Sequence, residues 1–201
     1  MLARWFQSRT RFARFIILLA VTIGGIGPLT HVPSAQAYVL ENVYPAQWTG
    51  IRLYEGSIAT AIEKQGFESG VTAWTNSGAG VSFTYWGSTS GAEITVKTYS
   101  ANDGNEAVTY INLTSTICNG WQQTNNAAIQ LNDLNIQSYG VGRVQSVAAH
   151  ELGHALGLDH NTGAVIMNTD GKARYVTYGV TTPQTDDVNG VKAIKSRCGA
   201  P

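Results

Sequence analysis

The run His150-Glu151-Leu152-Gly153-His154-Ala155-Leu156-Gly157-Leu158-Asp159-His160 decides how this chain is read. It holds three of the four histidines of the sequence. Residues i and i+4 of an α-helix lie about 40° apart around its axis, so His150 and His154 can present both imidazoles to one point. Glu151 stands about 100° from His150 and about 60° from His154. That is too far round for a third ligand, yet within reach of a water at the same point. Gly157 can adopt the left-handed conformation that ends a helix without steric cost. The chain then turns back, and His160 arrives from outside the helix. Three neutral imidazoles with one position left for water form the open tetrahedral arrangement of catalytic rather than structural zinc. His-Glu-x-x-His alone is a weak signal, and the Gly and third His at set offsets make coincidence far rarer. The bland alternative is a helix carrying a few satisfied core histidines. Val144, Val147, Ala148, Leu152, Ala155 and Leu156 give that helix, spanning about 142–156, a broad apolar face.

The run resembles the extended zinc motif of the metzincin metalloproteases, and its wording is most similar to the matrixin branch. Two further stretches agree. Val165-Ile166-Met167-Asn168 puts a methionine seven residues after His160, where metzincins have a methionine turn. Thr185-Asp186-Asp187-Val188-Asn189-Gly190 looks like the Asp-Asp opening of the last matrixin helix. The resemblance covers roughly 51–196 and is sharp from 143 onward.

The first 37 residues read apart from the fold. Arg4, Arg9, Arg11 and Arg14 precede a short apolar core from Phe15 to Ile26, and Ala35-Gln36-Ala37 is a small-x-small cleavage site. This is the pattern of a secretory signal peptide cut before Tyr38, and the apolar run is short for a span of about 20 residues. An uncleaved anchor is the alternative. The expected organisation is therefore a signal at 1–37 and one catalytic domain at 38–201, with a secreted, extracellular product. Removing those four arginines leaves nine basic residues against 13 acidic ones. Mild acidity without a basic run argues against nucleic acid. The signal also contains His31, so the zinc run holds every histidine of the remainder. Cys118 and Cys198 are the only cysteines. In an exported chain they form a disulfide most simply, with two free thiols as the alternative.

Along 38–201 the order is α+β. Residues 38–53 read as an extended start with one strand, limited early by Pro45. Ser57 can cap a helix to Trp74 with Ile58, Ala61, Ile62, Phe67, Val71 and Trp74 inward, although Gly66 and Gly70 weaken it. Alternation marks strands at 81–85, 94–98 and 107–113, where Val108, Tyr110 and Asn112 share a face, and a shorter one at 127–131. The zinc helix follows, then the Met167 turn, an irregular stretch and a last helix over about 184–196.

The resemblance implies a zincin-like fold, with a twisted, mostly parallel β-sheet, an active-site helix and a C-terminal helix. It implies Zn²⁺ held by His150, His154 and His160, and peptide-bond hydrolysis by a zinc-activated water with Glu151 as general base. Met167 becomes a structural floor, and Asp186 and Asp187 support the methionine turn or the N-terminal segment; a favourable helix dipole explains the two acids as well. The segment from Asn168 to Pro183 would line the pocket beyond the scissile bond, with Tyr175 and Tyr178 shaping its wall. The expected partner is a protein or peptide substrate lying extended along a sheet edge, with no nucleic acid, no lasting membrane association and no oligomer. Neither a cysteine-switch motif nor the histidine loop for a second zinc is evident, so latency through an upstream cysteine is not expected. Ala101-Asn102-Asp103-Gly104-Asn105-Glu106 could bind Ca²⁺ through carboxylate and carbonyl oxygens, and a solvated turn is the favoured reading. The alternative function is a non-catalytic secreted binding module stapled by zinc.

Overall fold

The computed structural model describes residues 38–199, so the signal-peptide reading of 1–37 lies outside the described residues. In chain order the elements are β1 (Val43–Pro45), β2 (Ile51–Glu55), α1 (Ala61–Asn76), β3 (Phe83–Tyr85), β4 (Ile94–Tyr99), β5 (Ala107–Cys118), β6 (Trp121–Asn132), α2 (Asp133–Ile136), α3 (Val141–Ala155) and α4 (Thr185–Cys198). A π-helical turn at Ala173–Thr177 interrupts the stretch before α4. The expected α+β class holds. Strands β1, β2, β3, β4 and β6 pair in parallel, and β5 alone is antiparallel, along β6. One edge of β6 carries β1 and then β4, and the other carries β5. Buried Ile94, Val96, Ala127, Ile129 and Leu131 join Phe67, Trp74, Val144 and Leu152 in one core.

Helix α1 starts later than the sequence suggests. Thr60, not Ser57, is its cap: the Thr60 hydroxyl accepts the Glu63 N–H at 3.1 Å, and a Glu63 carboxylate oxygen accepts the Thr60 N–H at 3.0 Å. This reciprocal capping box satisfies two donors at the helix start, which Ser57 would not. It turns Glu63 inward and leaves Ile62 exposed, against expectation, while Phe67, Val71 and Trp74 are buried as expected. Gly66 and Gly70, read as weaknesses, form the contact face. A Cβ on Gly66 would stand 2.5 Å from the Val144 Cβ, and one on Gly70 3.0 Å from the Ala148 Cβ. The two helices can therefore pack closely, and the Trp74 indole donates to the Ala149 carbonyl at 2.8 Å.

Strands β5 and β6 are each 12 residues long, well beyond the expected 107–113 and 127–131. Asn119 and Gly120 join them, with φ of 48° and 83°. Positive φ at both positions is the requirement of the tight hairpin turn that Asn-Gly favours. The polar residues Thr114, Ser115, Thr116, Gln122 and Gln123 hide this half of the hairpin from an alternation test, because pairing and the turn hold it rather than burial. The extended start likewise becomes two strands, with Pro45 closing β1 opposite Thr124. Cys118 and Cys198 are disulfide-bonded with Cα atoms 5.7 Å apart, tying the hairpin end to the end of α4. The free-thiol alternative falls.

Candidate metal centre

Helix α3 carries His150 and His154 on adjoining turns, and both are buried. The helix stops at Ala155, and Gly157 takes φ of 96°. A Cβ there would lie 2.5 Å from the Val43 carbonyl oxygen, so the turn needs glycine on two counts. The reversal brings His160 back, and the three imidazoles that the sequence singled out meet. His154 Nε2 lies 3.2 Å from the Nε2 of His150 and 3.2 Å from that of His160.

Hydrogen bonds on the far side of the rings fix what those nitrogens are. His150 Nδ1 is 2.8 Å from the Ile166 carbonyl oxygen, and His154 Nδ1 is 2.8 Å from that of Leu158. A carbonyl can only accept, so each Nδ1 carries a proton, and in the neutral ring each Nε2 is a bare lone pair. Bare lone pairs converging at 3.2 Å repel one another unless a cation lies between them. Nitrogens held tetrahedrally about zinc stand about 3.3 Å apart, so the donor set fits that ion. Burial and the nearby Arg174 charge hold His150 well below the usual histidine range. Burial and the charge of His154 bring His160 down to about 4. Both are therefore in the neutral, ligating form near pH 7. For His154, burial pulls downward but the carboxylates of Glu41 and Glu151 outweigh it, and its value is raised.

Glu151 is buried, and its carboxyl is pushed upward by that burial, against the opposing effects of His154, the Thr109 hydrogen bond and Arg174. The Thr109 hydroxyl donates to Glu151 Oε2 at 2.6 Å. Thr109 comes from β5 and was missed in the sequence, although putting Val108, Tyr110 and Asn112 on one face implies that Thr109 faces the other way.

The methionine turn is held from below. Asp187, at the start of α4, accepts the N–H groups of Ile166 at 2.9 Å, Met167 at 3.2 Å and Gln184 at 2.7 Å. Asp186 accepts from the Asn161 side chain at 2.9 Å. Asp187 thus fixes the turn whose Ile166 carbonyl orients His150. Met167 itself is 2% exposed.

One expectation needs correction. In the 101–106 loop, Asn132 Nδ2 donates to Ala101 O at 2.8 Å, Asp103 Oδ1 at 2.9 Å and Asn105 O at 3.0 Å. An amide takes the oxygens that a cation would need, and Ca²⁺ is not supported there. Glu106 turns inward instead, accepting from Tyr139 Oη at 2.8 Å, Arg143 Nη2 at 2.9 Å and Arg174 Nη2 at 3.3 Å. Arg174 is the buried charged residue of the segment expected to line the substrate pocket, and it also bonds the Ser146 hydroxyl at 3.0 Å and the Asn168 carbonyl at 2.9 Å. Of the two tyrosines in that segment, Tyr175 lies against Gly142 and Tyr178 is exposed. No periodic signal marked Arg174, because the π-helical turn that carries it is only five residues long.

Comparison with known proteins identifies the family. The sequence profile of the matrixins matches residues 48–195. No curated protein matches the chain. Two solved structures of myroilysin are similar: one at 20% identity and TM-score 0.39, covering 74% of this chain and 72% of that one, the other at 16% identity and TM-score 0.38, covering 80% of each. Among the described residues no helix is long and apolar enough to cross a membrane.

Proposed function

Because the chain belongs to the matrixin family of metalloproteases, we propose that it is a secreted zinc endopeptidase in which His150, His154 and His160 hold the metal and Glu151 is the general base. The observation that carries this reading is the convergence of three imidazole nitrogens beside a buried carboxylate. Zinc at that point supplies the Lewis acidity that brings water within reach of a base near pH 7 and polarises a carbonyl.

The residues of the chain do the rest. Thr109 engages Oε2 of Glu151, so Oε1 takes the proton from water and returns it to the leaving amine. Burial raises that carboxyl's proton affinity, which favours its holding the proton between the two transfers. The substrate lies extended along the outer edge of β5, whose other edge is filled by β6. That edge offers backbone N–H and C=O groups to any extended peptide, whatever its side chains. Residues 1–37 act as the export signal, and 38–201 form the catalytic domain of a monomer.

The test is hydrolysis of a quenched peptide or casein by the purified chain, with and without a zinc chelator. Glu151→Ala is expected to keep zinc and lose turnover, and His154→Ala to lose zinc. Full activity in Glu151→Ala, or no zinc in the native protein, overturns the reading. Zinc without hydrolysis of any peptide favours a zinc-stapled binding module.

A further inference from the structure

The chain that enters the fold at 39–42 runs along the turn leaving α3. Asp159 N–H donates to the Val39 carbonyl at 2.9 Å, and Glu41 N–H to the Gly157 carbonyl at 3.0 Å. Leu40 and Leu158 form an antiparallel bridge between those bonds. Gly157 permits the approach, since any side chain there would meet the Val43 carbonyl. This pairing fixes the backbone of Glu41 beside the second histidine of the triad. Its Oε1 lies 3.0 Å from His154 Nδ1.

The two helical histidines therefore differ. His150 Nδ1 has the Ile166 carbonyl as its partner. His154 Nδ1 has the Leu158 carbonyl at 2.8 Å and the Glu41 carboxylate at 3.0 Å. A carboxylate accepting the outer N–H of a ligating imidazole fixes its tautomer and makes its other nitrogen a stronger donor. Nothing in the Glu41 backbone pairing requires an acid at that position, because the backbone bonds form with any side chain. We propose that Glu41 is a positioning residue of the metal centre, holding His154 with its bare Nε2 aimed at the ion, so that the N-terminal segment is part of the site.

The proposal rests on the reading of the triad as a zinc site, and the experiment separates the two. Zinc affinity is measured by competition with a chromophoric chelator for the native chain, Glu41→Gln and Glu41→Ala. The melting temperature of each metal-free protein and the visible spectrum of each cobalt-substituted protein are recorded alongside. Removal of such outer carboxylates costs about 10- to 100-fold in metal affinity, and that loss is expected in Glu41→Gln, with a shifted cobalt spectrum and an unchanged metal-free melting temperature. Glu41→Ala is expected to lose at least as much. Tight zinc in the native chain with equal affinity in Glu41→Gln overturns the role of Glu41 and leaves the metal site standing. Affinity lost only in step with metal-free stability assigns Glu41 to folding alone and also overturns the proposal. A native chain that takes up no zinc overturns both readings.

Discussion

The sulfur of Met167 occupies the space that a side chain on Gly153 would fill: a Cβ there would stand 2.3 Å from Sδ. The ζ2 carbon of Trp74 lies 3.5 Å from the same point, and Met167 is 2% exposed, so the methionine has little room to move aside. Gly153→Ala is expected to cost about 1–3 kcal/mol through overpacking. Because one Asp187 carboxylate holds both Ile166 and Met167, the His150 partner is expected to shift too, and zinc affinity to fall with stability. Thermal melts of the metal-free protein, paired with zinc titration, check this. An unchanged melting temperature would mean that the turn is softer than its packing implies.

Thr109→Val keeps the shape of the side chain and removes the donor to Glu151. A buried carboxylate that loses a hydrogen bond is worse placed for proton transfer while the peptide still binds along β5. The expected result is a kcat lower by about tenfold, worth ~1.4 kcal/mol, with KM and zinc content unchanged. Steady-state kinetics on one quenched peptide decide it. A raised KM with native kcat would place Thr109 in substrate binding instead.

Acid should weaken the sheet through Glu93. Burial alone would raise this carboxyl, but hydrogen bonds and charge from Arg52 outweigh it and hold it below the ordinary range. Glu93 Oε2 also accepts the Arg52 backbone N–H at 2.6 Å. A carboxylate whose folded value is depressed stabilises fully above its unfolded value of about 4.3, and loses that contribution as pH falls through the lower folded value. The native chain should therefore exceed Glu93→Gln in urea midpoint at neutral pH, with a margin that shrinks below about pH 4. A margin that stays flat with pH rules out the ionised pair as its source.

The metal site was more legible than the strands around it. His150, His154, His160 and Glu151 announce themselves because one helix and one turn fix their geometry, and local offsets are written in sequence. Thr109, Glu41 and Arg174 reach the site from distant parts of the chain, where only tertiary packing brings them. The helices were placed nearly correctly, since α3 and α4 have continuous apolar faces. The long hairpin was half missed because its polar end gives no alternation, yet Asn119-Gly120 carried the turn signal openly. Gly66 and Gly70 show the opposite error: poor helix formers alone, they are the residues that let α1 meet α3.

Arg174→Met removes the charge that joins the post-methionine segment to Glu106, just before β5, and to Ser146 of α3. Glu106 keeps Arg143 and Tyr139, so the expected cost is about 3 kcal/mol, near the low end for breaking a buried pair. The loss should appear as a lower urea midpoint and as faster clipping by an added protease within 170–180. Native stability in this variant would show that Ser146 and Asn168 find water in place of the guanidinium.

Cys118 and Cys198 close a covalent ring of the chain, and the whole zinc run lies inside it. A protease that cuts itself or its sibling anywhere between them opens one peptide bond and releases no fragment. Such a nicked molecule runs at full size until a reductant is added, then falls into two pieces. The segment after Met167 can therefore be severed while α4 and its Asp187 support remain attached.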